Sequence, residues 1–290
     1  MREIRIGTRG SVLALAQTKL IADKILNTWP DLRVKIITIT TQGDINMSAF
    51  TSDPVGIKGM FTHEITQALL NNKIDFAVHS LKDLPVQENQ ELPIIAYSKR
   101  GDPRDALILN NNSCKILASS SLRRRLQLEK LYPDYKIIPV RGNINTRIKK
   151  LDESENFCGL VLAVSGLERL NLSHRINKIF SINEIMPAPG QGILACQGVH
   201  GRNYNYLECV NDKDSQDCAL AERSFSLELN AGCNVPAGAY AEIQENILTL
   251  RGLYIDGGKF FHTGSLSGSR NDAKLIGVNL AKKILTELKS

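Results

Sequence analysis

The stretch EIRIGTRGSVLALAQTKLIADKILNTWPDLRVKIITITT, Glu3 to Thr41, decides the fold class. EIRIGT is short and β-branched, and reads as a strand. SVLALAQTKLIADKILNTW places apolar residues at helical spacing, and RVKIITITT alternates as a second strand. A strand, a helix and a strand in so short a span predict a parallel pair joined by a crossover helix. Outward from it the pattern repeats: MFTHEITQALLNN (60–72) is helical and IDFAVHS (74–80) is a short buried strand. The expectation is an α/β domain with a largely parallel sheet covered on both faces.

Near 92–109 the text changes to LPIIAYSKRGDPRDALIL, a charged Gly-Pro interruption suited to a chain crossing between domains. A second α/β series follows: CKILAS, helix SLRRRLQLEKLY, YKIIPV, helix NINTRIKKLDE and FCGLVLAV. EIMPAPGQGILACQG (184–198) marks a second crossing, and the tail reads as a small α+β unit of helix, three strands and helix. The expected domains are 1–95 with 191–210, then 96–190, then 211–290. GQGILA at 190 matches the dinucleotide pattern G-x-G-x-x-[GA], but a proline-rich link precedes it where a strand is required, so it reads as a hinge turn.

Composition is that of a soluble protein: 42% hydrophobic, 23% charged, with no apolar run of membrane length and no signal-peptide pattern at the start. A cytoplasmic monomer without membrane or nucleic-acid partners is expected. The six cysteines include no C-x-x-C pair, and the five histidines show no zinc-like spacing. Neither a metal nor a disulfide framework is expected.

Charge is concentrated. Residues 99–150 hold 13 Lys/Arg against 4 Asp/Glu, a local net of +9 against +6 for the whole chain. That surplus points to an anionic ligand, either nucleic acid or a small polycarboxylate or phosphate compound. Ser119, Ser120 and Ser121 precede one helix and Asn143 the next, leaving Arg141 before its start and Arg147 in its first turns. Arg123, Arg124 and Arg125 turn by about 100° each, so they cannot all face one ligand. GTRGS (7–11), with Arg9 and Ser11, and HSLKD (79–83), with Ser80, Lys82 and Asp83, both follow strands, where open α/β sheets bind ligands.

One cysteine fits no packing role. Cys233 lies in LNAGCNVPAGAY (229–240), a turn punctuated by Gly232 and Pro236 after a helix over 214–229.

In this order, GTRGSVLAL, GIKGMFTHE, AVHSLKDLP, GDPRDAL, ASSSLRRR, RGNINTR, LAVSGLERL, PAPGQG and GCNVPAGAYAE resemble the porphobilinogen deaminase family, also called hydroxymethylbilane synthases, over residues 7–242. The resemblance implies two periplasmic-binding-protein-like α/β domains and a small C-terminal α+β domain. It implies that Cys233 carries a dipyrromethane cofactor through a thioether, a linkage that resists hydrolysis. A helix C-terminus disfavours the thiolate, so activation falls to cationic groups across the cleft or to the electrophile.

The implied reaction joins four porphobilinogen molecules head to tail with loss of ammonia, then frees hydroxymethylbilane by hydrolysis, in tetrapyrrole (haem) biosynthesis. Loss of ammonia leaves a cationic azafulvene, which calls for a fixed carboxylate. By motif position Asp83 is that group, with Lys82 beside it. Arg123, Arg124, Arg141 and Arg147 are implied cofactor ligands, with Asp44, Lys58, Ser80, Lys82, Asp83, Ser119, Ser120 and Ser121. Arg9, Ser11, Arg141, Arg147 and Arg169 are implied substrate ligands. Gln42, Pro54, Ser119, Gln197 and Ala231 depart from the family's usual residues. Two other classes compete. A non-catalytic anion-binding module of the same architecture has no use for Cys233 or Asp83. A nucleic-acid binder accounts only for the charge, with 6% aromatic residues to stack on bases.

Overall fold

A computed structural model of the chain describes residues 3–40, 63–110, 113–229 and 236–288. The first elements are β1 (Glu3–Arg9), α1 (Val12–Thr28), β2 (Arg33–Ile39), α2 (His63–Leu70), β3 (Phe76–Ser80) and β4 (Ile94–Tyr97). The next are β5 (Asp105–Leu109), β6 (Ile116–Ala118), α3 (Leu122–Leu131), β7 (Lys136–Ile138), α4 (Ile144–Asp152), β8 (Gly159–Ala163), α5 (Val164–Glu168) and β9 (Lys178–Ile179). The chain returns in β10 (Leu194–Gly198). It ends with α6 (Lys213–Glu228), β11 (Ala237–Gln244), β12 (Ile247–Asp256), β13 (Phe260–Ser269) and α7 (Ala273–Glu287).

Three sheets result, with orders β2-β1-β3-β10-β4, β7-β6-β8-β5-β9 and β11-β12-β13. The chain is a mixed α/β protein with a small α+β region at its C-terminal end. In the first sheet β1 pairs in parallel with β2 and β3, as the strand–helix–strand reading requires. β10 is antiparallel to both β3 and β4. It returns from the second sheet without a crossover helix, so nothing holds it parallel to its neighbours. The second sheet repeats the mixture: β6 is parallel to β7 and β8, while β5 is antiparallel to β8 and β9.

Each sheet buries its own apolar face. Ile4, Ile6, Phe76 and Val78 meet Ile21 and Ile25 of α1 in the first. Ile108, Leu160 and Leu162 meet Ile148 and Leu151 of α4 in the second. Leu248 and Leu250 pack on Phe225 of α6 and Leu280 of α7 in the third.

The two crossings touch. The Gly101 amide donates to the Gly192 carbonyl at 3.1 Å. Gly192 adopts φ +94°, and a Cβ there would fall 2.6 Å from the Gly101 oxygen, so only glycine fits. GQGILA is therefore a turn feeding β10, with no strand before it and no helix after it. Glu222, fully buried on α6, ties the third region to both crossings. It accepts from Arg100 at 2.6 Å, the Gly190 amide at 2.7 Å and the Ala241 amide at 2.7 Å.

The cysteine expectation needs one correction. Cys114 and Cys158 are joined by a disulfide across 44 residues of sequence. They precede β6 and β8, whose parallel pairing brings them together. No local spacing announces such a pair. Cys196 and Cys218 are buried, as packing thiols should be, and Cys209 is half-buried. No described helix is long and apolar enough to cross a membrane.

Candidate active site

β3 ends in a tight turn, Leu81–Asp83, that projects two charged side chains from the strand's carboxyl end. The Leu81 amide donates to the Ile193 carbonyl at 3.0 Å, which fixes the turn against the second crossing. Asp83 is exposed and Lys82 half-buried. The Lys82 ammonium donates to Gln191 Oε1 at 3.2 Å. Lys82 is lowered to about 8, chiefly by burial and then by the Arg124 guanidinium, against the opposing pull of Asp83. Ser80 Oγ lies 2.9 Å from the Gln17 side-chain amide of α1. At the neighbouring strand end Arg9 is half-buried, and Ser11 caps α1 by accepting from the Ala14 amide at 3.2 Å.

The second sheet contributes the arginines, and they divide. Arg123 and Arg124 turn inward from α3 onto the fully buried Asp105, at 2.9 and 2.8 Å. Arg123 also donates to the Met186 carbonyl. Asp105 is held well below the ordinary carboxylate range; burial opposes this, and the two guanidiniums outweigh it. Ser121 caps α3, accepting from the Arg124 amide at 3.4 Å; Ser119 is buried and Ser120 exposed.

Arg141 is exposed ahead of α4, which Asn143 caps by accepting from the Thr146 amide at 2.8 Å. Arg147, one turn in, is half-buried, and its buried Nε has no hydrogen-bond partner among the described residues. Burial lowers its pKa to about 10, helped by Arg124 and Arg141 and opposed by Asp83. Arg169 is turned to the crossing, donating to the Gly192 carbonyl at 2.5 Å.

Lys82, Asp83, Arg124, Arg141 and Arg147 thus form one electrostatically connected group drawn from two sheets. Asp44, Lys58 and Cys233 lie outside the described residues. A cavity of about 490 Å3 between Val12 of α1 and α4 contains none of the connected group.

Sequence reading missed three residues. Asp105 and Gln191 stand inside quoted motifs, but their burial was not legible. His79, buried beside the Asp83 turn, is driven down to about 4, chiefly by burial, and is neutral at working pH.

The arrangement can bind a compound bearing several carboxylates and place one carboxylate, Asp83, against positive charge. Residues 4–204 match the family model described as "Porphobilinogen deaminase, dipyromethane cofactor binding domain", and residues 216–286 match its C-terminal domain. The porphobilinogen deaminase of Ruminiclostridium josui is 46% identical over 291 residues, covering 98% of each chain. That of Alkaliphilus oremlandii is 41% identical over 290 residues, covering 98% of this chain and 97% of its own. Among solved structures the methionine binding protein MetQ aligns with a TM-score of 0.44 and 10% identity, over 72% of this chain and 88% of that one. The two matched domains and these near full-length relatives place the chain in the porphobilinogen deaminase family.

Proposed function

We propose that the chain is a working porphobilinogen deaminase that joins four porphobilinogen molecules into hydroxymethylbilane with release of ammonia, acting as a cytoplasmic monomer. The observation that carries this reading is the lining: a cationic group from two sheets with one exposed carboxylate, Asp83, among it. A dipyrromethane bears four carboxylates, and the Arg147 Nε, without a hydrogen-bond partner among the described residues, and the exposed Arg141 suit them. Bound there, it would supply the free pyrrole α-carbon to which the first unit is added, each later unit adding to the terminal ring of the growing chain. Arg141 and Arg147 hold carboxylates through bidentate contacts. Arg124 adds its charge from the Asp105 pair, and Arg123 acts as its support rather than as a direct ligand.

Asp83 accepts a pyrrole N–H and stabilises the positive charge that develops as ammonia leaves the substrate's aminomethyl group. Ser80, Ser119, Ser120, Ser121, Ser11, Arg9, Arg169, Asp44 and Lys58 complete the contacts. The domains hinge at the two crossings, and Cys233 carries the cofactor. Chemistry at four of the other five cysteines favours Cys233 as anchor. Cys114 and Cys158 are bonded to each other, and burial pushes Cys218 up to about 12 and raises Cys196 as well.

Intact-mass and peptide mapping test the reading. The purified protein should carry a covalent two-pyrrole addition on the peptide containing Cys233. The same mass on a Cys209 or Cys218 peptide, or no addition after incubation with porphobilinogen, would overturn it.

Arg147→Leu should weaken cofactor assembly or chain loading by about 2 kcal/mol, roughly thirtyfold, as loss of one buried charge contact does. Melting temperature should hold, because leucine removes a charge that has no ion-pair partner among the described residues. Arg147→Lys should recover only part of the loading, since one ammonium cannot reproduce a two-bond grip. Normal loading and turnover in the leucine variant would make Arg147 a bystander.

A further inference from the structure

We propose that Gln191 is a positioning residue for Lys82, holding its ammonium in register with the second sheet; this rests on the deaminase reading above. Gln191 is fully buried in the turn between Gly190 (φ +74°) and Gly192 (φ +94°). Its backbone is pinned on both sides: the amide donates to the Ala188 carbonyl at 3.0 Å, and the carbonyl accepts from Arg100 Nε at 2.9 Å.

The side-chain amide then uses its whole hydrogen-bonding capacity. Oε1 accepts from Lys82 Nζ at 3.2 Å and from Arg124 at 3.3 Å. Nε2 donates to the Pro103 carbonyl at 2.6 Å and to Asp105 Oδ1 at 2.7 Å. One neutral group thereby joins the Asp83 turn, the first crossing, β5 and α3.

Only a primary amide satisfies all four partners. A carboxylate would face the Asp105 carboxylate and the Pro103 carbonyl with no proton to offer. An apolar side chain would leave the Lys82 ammonium without this acceptor on a stem with four rotatable bonds. The charged groups around Lys82 are Arg123 and Arg124 of α3, Asp105 of β5 and Asp83 of its own turn. The Gln191 oxygen favours the ammonium form, while burial and the two guanidiniums oppose it.

Opposite substitutions at Gln191 should therefore move the ionisation of Lys82 in opposite directions. The experiment measures kcat and KM against pH for wild type, Gln191→Met and Gln191→Glu. Each is used as holoenzyme whose cofactor addition has been verified by mass. In Gln191→Met the alkaline limb of kcat should move down by on the order of one pH unit. Its neutral-pH kcat should fall about tenfold with KM little changed, the size of one charge-assisted hydrogen bond. In Gln191→Glu the added negative charge should move the same limb up. A turn that was merely structural would lower the amplitude and leave the limb in place, and an unmoved limb in both variants overturns the proposal.

If Gln191→Met does not accumulate as holoenzyme, Gln191→Glu decides alone: an upward shift supports the proposal, and no shift or a downward one overturns it. Wild type that takes up cofactor without releasing ammonia would instead sink the deaminase reading. Wild-type turnover with unmoved limbs sinks only the role of Gln191.

Discussion

Asp105→Asn should destabilise the protein by about 3–5 kcal/mol. Asp105 is fully buried and is the common partner of Arg123 and Arg124, which are themselves 6% exposed as residues. Asparagine keeps the shape and one acceptor but removes the charge, and turns an NH2 group toward a guanidinium. Two cations then remain in the interior with nothing to balance them. Pairing them costs less than orphaning them, which is why breaking such a cluster is worse than replacing it entirely. The measurement is a thermal melt, with a drop on the order of 10 °C expected for that loss in a chain of this size. Adding Arg123→Met to Asp105→Asn should restore part of it by deleting one orphaned charge. A melt within a degree or so of wild type would show that the guanidiniums find other partners, and that Asp105 does not hold this corner together.

Asp83→Asn should reduce the chemical step by about 3–4 kcal/mol, some two to three orders of magnitude, while leaving cofactor and fold in place. Asp83 is exposed at the end of its turn, so its carboxylate has no packing role to lose. It lies close enough to Lys82, His79 and Arg147 for its charge to act on all three. Asparagine preserves size and one acceptor, so a role in ordering the turn would survive the change. Stabilising a substrate cation would not. The measurement is single-turnover ammonia release from pre-assembled holoenzyme, in which binding and assembly are already complete. Substrate adducts should accumulate on the variant as extra mass beyond the cofactor. Equal rates in variant and wild type would remove Asp83 from the mechanism and leave Asp44 or the substrate's own carboxylates as the counter-charge.

The strand–helix–strand pattern of residues 3–41 carried the fold class, because burial on one face imposes periods of two and near 3.6 that any reader of the chain can count. Capping residues were legible for the same local reason: Ser11, Ser121 and Asn143 each accept from an amide three residues on. The charge excess of 99–150 and the placement of Lys82 and Asp83 after β3 were also visible, since both depend on neighbours in sequence.

What the chain text did not contain is everything decided by distant pairs. The antiparallel direction of β10 follows from where the chain returns from, not from the residues of LACQG. The Cys114–Cys158 bond follows from the pairing of β6 with β8. Motif position implied Arg123 as a cofactor ligand, and its place in an arginine run did not show where it turns. Asp105, 18 residues away, is what turns it inward. Gln191 looked like a hinge letter between two glycines, and nothing near Glu222 in sequence singled it out. Each becomes a junction only when four chain segments converge on it, and the cause is desolvation: a buried polar atom must find its partner wherever the fold has put one. Sequence determined the elements and the chemistry available at their ends; tertiary structure alone decided which charges gather around the Asp83 turn and which neutralise each other in the interior.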